Sequence, residues 1–479
     1  MNSILEINKL TYTLPDVSVA AKQTQRTRSF AFPQNYINAQ AGDVIPILVN
    51  SGRSYIDGRQ SSINFVLKVN VSPQADMKFF SFDCDFPNKN SGATVLNLIS
   101  ELLIESRDGT VLYRENFLNI MQNVREYKIS VEKKNMLTMI GGSYDSRNIG
   151  NNYPFYQVNL ENSFNIPLSD LCPMFNTSNL LLPELITGCK ISLVLSQLKQ
   201  NIIGLEQILP PPPSTSRPPP VPVDIPADIT FDITNVSLYL HQVDLYDGVQ
   251  SVIKNSLTSL NKGLEFPYYC YHNSRFRPTS SSFIYDVQLS CQNVSYIAIK
   301  FFRRIYEQQQ SPVASATIAD LRTQQPADDN ALGFSIRARI GSQYYPNYPI
   351  LSATEAYINT CQALNPISFS DTQDIDVLKN TNKLTSGMMA YSNYCVNGDF
   401  NDPEGSGAYT SGFSSGGFIV AISLEKSNNV SLTGVQTTQG RTVSIEIEGL
   451  ENYNLFDLYT QVQYLTVVSV TENNCIVSK

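Results

Sequence analysis

Alternation with a period of two dominates the chain. Ile63, Phe65, Leu67 and Val69 take turns with Asn64, Val66 and Lys68. Ile191, Leu193 and Leu195 do the same with Lys190, Ser192 and Val194, as do Phe283, Tyr285, Val287 and Leu289 with Ile284, Asp286 and Gln288. The cleanest run sets Val443, Ile445 and Ile447 against Ser444, Glu446 and Glu448. Successive side chains of a strand point to opposite faces, so each run predicts a half-buried strand with one row in a core. Residues 294–302 (VSYIAIKFF) and 418–424 (FIVAISL) are apolar almost throughout, which predicts strands covered on both faces. Such runs fall in both halves, separated by Gly, Pro, Asn and Ser turns. The fold class they predict is all-β, with sandwich or barrel packing.

Two segments switch to helical spacing. In 115–131, Phe117, Ile120, Met121, Val124, Tyr127 and Val131 form one apolar stripe. In 247–260, Val249, Val252, Ile253, Leu257 and Leu260 do so, with Asp247 placed as an N-cap. The second helix lies near the midpoint of the chain and reads as a bridge between two β-units.

Residues 210–226 (PPPPSTSRPPPVPVDIP) are stiff, extended and unable to join a sheet. They mark either a domain boundary or a long exposed loop, 205–228, inside the first unit. The loop reading is adopted, because the strand 231–243 (FDITNVSLYLHQV) is expected to complete the sheet begun by 189–198 (CKISLVLSQL). The resulting division is an N-terminal arm over 1–28, a first β-unit over 29–246, a connecting helix over 247–262 and a second β-unit over 263–479. Residues 401–417, rich in glycine and serine, read as a second exposed loop.

Composition sharpens this picture. A length of 479 residues exceeds what one core organises, about 250–300, and fits two units. Charged residues are 16% of the chain, against roughly 25% in an average soluble protein, while Tyr (26) and Phe (23) are abundant and Trp is absent. Aromatic and neutral polar side chains suit protein–protein interfaces, where few charges need desolvating. A net charge of −8 leaves no basic face to wrap nucleic acid, so direct sequence-specific nucleic-acid binding is not expected. The local basic run is Lys22, Arg26 and Arg28 in the arm, either a solvated tail or a tether on an inner acidic layer. No stretch of 18 apolar residues is present, so no spanning segment is expected; an internal membrane is compatible with the chain, but nothing in it points to one.

Little in the sequence invites catalysis. His241 and His272 sit in or beside expected strands, with no carboxylate or cysteine at ligand spacing, and read as hydrogen-bonded structural groups. The string GFSSG at 412–416 lies in the glycine- and serine-rich loop, without the strand-to-helix setting that a nucleophile elbow needs, and the glycines of 405–417 lack the Lys and Ser/Thr of a phosphate cradle. Asp83/Asp85 and Asp374/Asp376 could bind Ca²⁺ on loops, but solvated turns explain them as well. The eight cysteines form no CxxC pair and read as reduced, mostly buried, small apolar residues. Residues 1–25 lack the basic start and apolar run of a secretory signal, so the N-x-S sites at Asn70, Asn176, Asn235, Asn293 and Asn429 are not expected to carry glycans. No catalytic residue, metal ligand or cofactor is assigned.

Several stretches resemble, in order, the double jelly-roll major capsid proteins of polinton-like viruses and virophages. Residues 47–69 (ILVNSGRSYIDGRQSSINFVLKV) are similar to that family's opening hairpin, with its "SYID" step before a long alternating strand. Residues 164–195 resemble its loop and Pro-terminated apolar patch, and 418–449 its strand, "LEK", glycine turn and "G-T" strand. The resemblance implies two eight-stranded jelly rolls in tandem, the β-units over 29–246 and 263–479. It also implies homotrimers that form pseudo-hexameric capsomers and tile an icosahedral virion shell, with penton and minor capsid proteins as further partners and Lys22, Arg26 and Arg28 as an inner-face tether. Two other functions fit an all-β chain: a minor capsid or vertex protein, and a carbohydrate-binding or glycosidase β-sandwich. The second ordinarily uses Trp platforms, which are missing here.

Overall fold

A computed structural model of the chain describes residues 21–30, 38–71, 79–81, 95–126, 156–177, 180–197, 204–207, 221–223, 229–259, 264–291, 293–304, 331–364, 418–425, 434–437, 441–470 and 475–478. The first half holds β1 (Ala21–Phe30), β2 (Val44–Leu48), β3 (Tyr55–Asn70), β4 (Phe79–Ser81), β5 (Ile99–Glu105) and β6 (Val111–Asn116). It continues with β7 (Tyr156–Gln157), β8 (Glu161–Pro167), β9 (Lys190–Leu195), β10 (Gly204–Gln207), β11 (Val221–Val223) and β12 (Thr230–Leu245). The second half holds β13 (Leu264–Phe276), β14 (Phe283–Val287), β15 (Val294–Arg303), β16 (Ala331–Ile340) and β17 (Gln343–Ser352). After these come β18 (Ile419–Ser423), β19 (Val443–Glu448), β20 (Phe456–Val470) and β21 (Cys475–Ser478). The longer helices are α1 (Leu118–Glu126), α2 (Asp247–Ser259) and α3 (Ala353–Leu364).

Each half is built on two antiparallel four-stranded paths: β1-β12-β3-β8 with β2-β9-β5-β6, then β13-β20-β15-β18 with β14-β19-β16-β17. A smaller sheet, β11-β10-β4-β7, belongs to the first half, and β21 pairs with β20. With the small sheet and β21 set aside, the strands of each half can be ranked along the chain. Both halves then read 1-8-3-6 in one sheet and 2-7-4-5 in the other. That order is the double Greek key of a jelly roll, and it occurs twice.

The expected apolar rows form the cores. Ile63, Leu67 and Val69 of β3, Ile191 of β9, and Val443, Ile445 and Ile447 of β19 are all fully buried. In the second unit, Phe301 on β15, Phe334 on β16 and Phe418 just before β18 place their ring centroids 6.0–6.1 Å apart, joining its two sheets. The runs expected to be covered on both faces are β15 and β18, and they are. Their outer face is capped by α3, which packs on β18 and β15, and α1 of the first unit also reaches β15. Gly58 lets β3 pass close to the loop at 173–176: a Cβ there would lie 2.6 Å from the Phe175 carbonyl oxygen.

Four expectations change. The strand at 190–195 and the strand at 230–245 lie in opposite sheets, because β9 pairs with β2 and β5 whereas β12 pairs with β1 and β3. Consecutive Greek-key strands that cross the barrel mouth look sequential in a pattern but are not neighbours. Residues 21–28 of the expected arm belong to β1, which pairs with β12 from Ala21↔Leu245 to Phe30↔Ser237. Its sequence, AKQTQRTRSF, has no apolar row, so alternation gave no sign of it. The helix expected over 115–131 begins at Leu118, because residues to Asn116 pair in β6 and Phe117 turns the chain with φ of 54°. Asp247 is the first residue of α2 and not its cap; the Tyr246 carbonyl accepts the N–H groups of Val249 and Gln250.

The proline-rich stretch 210–226, read from sequence as unable to join a sheet, does so at its end: β11 lies within it and pairs with β10, Leu205 opposite Val223, as the end strand of the small sheet, a position that tolerates proline. Residues 208–220 and 401–417 lie outside the described residues. Among the described residues no helix is long and apolar enough to cross a membrane.

Candidate assembly surfaces

The two units meet where β6, the end strand of its sheet, packs against β13, the end strand of another. No ladder joins them; side chains do. The Tyr268 hydroxyl donates to the Leu112 carbonyl. Asn273 Nδ2 donates to Glu115 Oε1 at 3.1 Å and to the Asn116 carbonyl at 2.7 Å. Glu115 is 1% exposed and also accepts the Tyr113 hydroxyl at 2.5 Å. A buried carboxylate is tolerable only with such donors. From β15, Lys300 Nζ donates to the Ile120 carbonyl of α1 at 3.2 Å, and the Phe117 ring meets Tyr459 edge-on at 5.4 Å. Burial holds the Tyr268 hydroxyl well above the usual phenol range, so it stays a donor.

Beside this seam a single carboxylate gathers three guanidiniums. Asp457, at the start of β20, is bonded by Arg275 from β13, by Arg277 just beyond it, and by Arg304 at the end of β15. Arg304 also donates to the Pro278 carbonyl at 2.8 Å. Burial pushes the Asp457 carboxyl up, but the hydrogen bonds from Arg277 and Arg275, the Arg275 charge and the Arg304 bond outweigh it and hold the group below the usual range. The cluster pins three strand ends at one mouth of the second unit. A cleft of about 510 Å³ opens next to it, lined by Phe117, Glu101, Arg275, Phe302 and Tyr459 among others.

The outer face of the second unit is polar and internally matched. Glu446 accepts a hydrogen bond from Arg337 at 2.7 Å and pairs with the Arg339 charge at 3.4 Å, and the Arg337 guanidinium lies 4.3 Å over the Tyr344 ring. Beyond Tyr344 the character changes. Along β17, Tyr348 is 84% and Leu351 55% exposed.

Lys22, Arg26 and Arg28 fall on β1. In register, Arg26 stands opposite His241 and Arg28 opposite Tyr239, and Lys22 lies in the irregularity between Ala21 and Gln23. His241 belongs to β12 and His272 to β13, in different units. Asp83/Asp85 and Asp374/Asp376 lie outside the described residues. Among the described residues no cluster of His, Cys, Asp and Glu could hold a metal ion. Cys172, Cys189, Cys270, Cys291 and Cys475 are buried, the small apolar role expected of them.

Asp457, Asn273, Lys300 and the β17 tyrosines were not singled out by the sequence. For β17 a signal existed: QYYPNYPILS carries two prolines, and a strand with proline belongs at a sheet edge. For Asp457 no local signal exists, because its three arginine partners come from two segments distant from it in sequence.

No family model and no curated protein matches the chain by sequence. Solved structures do. The PBCV-1 VP54 structure fitted into a reconstruction of the virophage Sputnik matches 98% of this chain and 100% of its own, with TM-score 0.56 and 8% identity. The fold is the double jelly roll. A structure of the Sputnik virophage itself matches 96% of this double jelly roll over 89% of its own chain, at TM-score 0.55 and 12% identity. The Faustovirus major capsid protein matches 98% over 94%, at TM-score 0.54 and 10% identity. Each of these matches spans nearly the whole of this chain.

Proposed function

We propose that this double jelly roll is a major capsid protein, which trimerises into pseudo-hexameric capsomers that tile an icosahedral virion shell. The observation that carries the reading is the repetition of one strand order, 1-8-3-6 with 2-7-4-5, in both halves of a single chain. It is supported by a match to the Faustovirus major capsid protein over nearly the whole of both chains. Two similar lobes per chain give six per trimer, so one polypeptide fills a near-hexagonal lattice. A stable trimer of this kind buries about 2,000 Å² or more per interface.

The protein acts without catalysis in this reading. Among the described residues the most buried carboxylates, Glu115, Glu446 and Asp457, are each tied to named donors in the fold. A vertex protein with one jelly roll is disfavoured, because both units are complete. Penton and minor capsid proteins are the further partners, the virion is the location, and Lys22, Arg26 and Arg28 serve as an inner-face tether between neighbours. Negative-stain microscopy together with the mass of the purified oligomer tests the proposal. Six-lobed rings with three chains are expected; five-fold particles or a persistent single chain refute it.

A further inference from the structure

The cleft beside the Asp457 cluster is walled by strand ends that share one pole of the two jelly rolls. β6 and β9 of the first unit and β13 and β15 of the second finish there, at Asn116, Leu195, Phe276 and Arg303. β5 and β20 start there, at Ile99 and Phe456. Just past the same ends the chain sets out on two long connections, 127–155 after α1 and 305–330 after β15. Loops gathered at one end of a β-sandwich and held by a rigid scaffold commonly carry recognition. The cleft volume of about 510 Å³ lies inside the range of small-ligand sites, roughly 300–1,000 Å³.

The walls select the chemistry of an occupant. Phe117 from the first unit and Phe302 from the second are half-buried, and they meet the buried Tyr459 ring edge-on at 5.4 and 5.7 Å. Phe117 holds its place with φ of 54°, a strained backbone that is kept where a side chain must be aimed. Each charge on the described walls is already paired: Glu101 accepts Arg114 at 2.8 Å, and Arg275 is bonded to Asp457. A ligand with net charge therefore gains little. The remaining polar groups are neutral amides, those of Asn116, Asn119 and Gln197. Asn116 Oδ1 is buried without a hydrogen-bond partner, which favours a ligand that brings hydroxyl donors. An extended peptide fits less well, because strand ends present side chains and not the row of backbone donors and acceptors that peptides take up.

We infer that this cleft binds a neutral oligosaccharide. A sugar ring has an apolar C–H face and a rim of hydroxyls. The face lies on Phe117 and Phe302, which take the stacking role that Trp fills in other sugar sites. The hydroxyls bond to the amides and to the remaining lone pairs of Glu101. The site is complete within one chain, so it stands independently of how copies assemble and adds recognition to the shell role above.

The full chain tests this. On an array of neutral, sialylated and sulfated oligosaccharides it is expected to be retained by neutral ones, and calorimetry with the strongest gives the affinity. Phe117→Gly removes a ring and suits a backbone at φ of 54°, and Gln197→Ala trims an exposed amide. Together they are expected to weaken binding at least about tenfold with unchanged circular dichroism. Gln197→Ala alone, which cannot disturb the core, is expected to weaken it about threefold. Val111→Ser, at the far end of β6 and 42% exposed, is expected to leave it unchanged. Retention by no neutral sugar, or by charged glycans alone, overturns the inference. Sugar binding that the double substitution leaves intact places the glycan elsewhere and overturns it as well. A synthetic peptide array run beside it decides the rival occupant: peptides held by the wild type, lost in the double variant and not displaced by sugar make the cleft a peptide site.

Discussion

Asp457 and Arg304 lie 2.7 Å apart, Oδ1 to Nε, with 2% of the aspartate side chain and 20% of the arginine side chain exposed. The bond ties the start of β20 to the residue that follows β15, and Arg275 and Arg277 add the end of β13. Asp457→Asn keeps the shape but removes the charge facing three cations. We expect a loss of about 3 kcal/mol, at the lower end for broken buried pairs because the arginines are partly hydrated. Urea unfolding measures it, and a loss below ~0.5 kcal/mol would show the cluster to be incidental.

The same carboxyl sets a pH dependence. Its folded pKa lies below the ordinary 3.8, so its contribution is present above that value and is lost as pH falls through the folded pKa. The melting temperatures of wild type and Asp457→Asn should differ most above pH 4 and converge in stronger acid. A gap that stays constant from pH 6 to pH 2 contradicts the assignment.

At the seam, Asn273 gives its amide to Glu115 Oε1 and the Asn116 carbonyl. Asn273→Ala leaves a carboxylate that is 1% exposed short of a donor, and should cost about 1–3 kcal/mol. Adding Glu115→Gln should recover part of that, because a neutral amide is easier to bury. Additive losses in this double-mutant cycle would show that the two groups are not coupled.

Gly58 stands where a Cβ would meet backbone atoms of Phe175 at 2.6 and 2.9 Å. Backbone cannot swing aside as a side-chain tip can, so Gly58→Ala should destabilise the first jelly roll by about 2 kcal/mol. Thermal melting checks it, and an unchanged midpoint would mean that the loop at 173–176 yields freely.

Burial, with the charges of Cys475 and Asp108 behind it, pushes the Cys189 thiol up to about 12; burial and Asp108 push Cys475 up to about 11. The Cys189 thiol donates to the Leu185 carbonyl at 2.9 Å. At pH 8 roughly one Cys189 in ten thousand is then a thiolate. Peptide mapping after iodoacetamide should find both residues unmodified in the native protein and fully modified in denaturant. Rapid native labelling of Cys189 would contradict its burial.

Alternation along the chain determined a good deal. The rows at 63–69, 191–195, 283–287 and 443–447 named strands and their inward faces, because a period of two is a property of the backbone alone. The continuous apolar runs at 294–302 and 418–424 announced cover on both faces, and α2 was marked by its own stripe. Other features needed the folded chain. β1 has no apolar row and becomes a strand only because β12 offers it a ladder. β9 and β12 follow one another in sequence but sit in opposite sheets, a choice made by the Greek-key path. The gathering of Arg275, Arg277 and Arg304 on Asp457, and the open edge of β17 opposite the covered edge of β6, depend on residues distant in sequence. Local periodicity reports which side of a strand is dry; which strands become neighbours is settled by closing two barrels and packing one against the other.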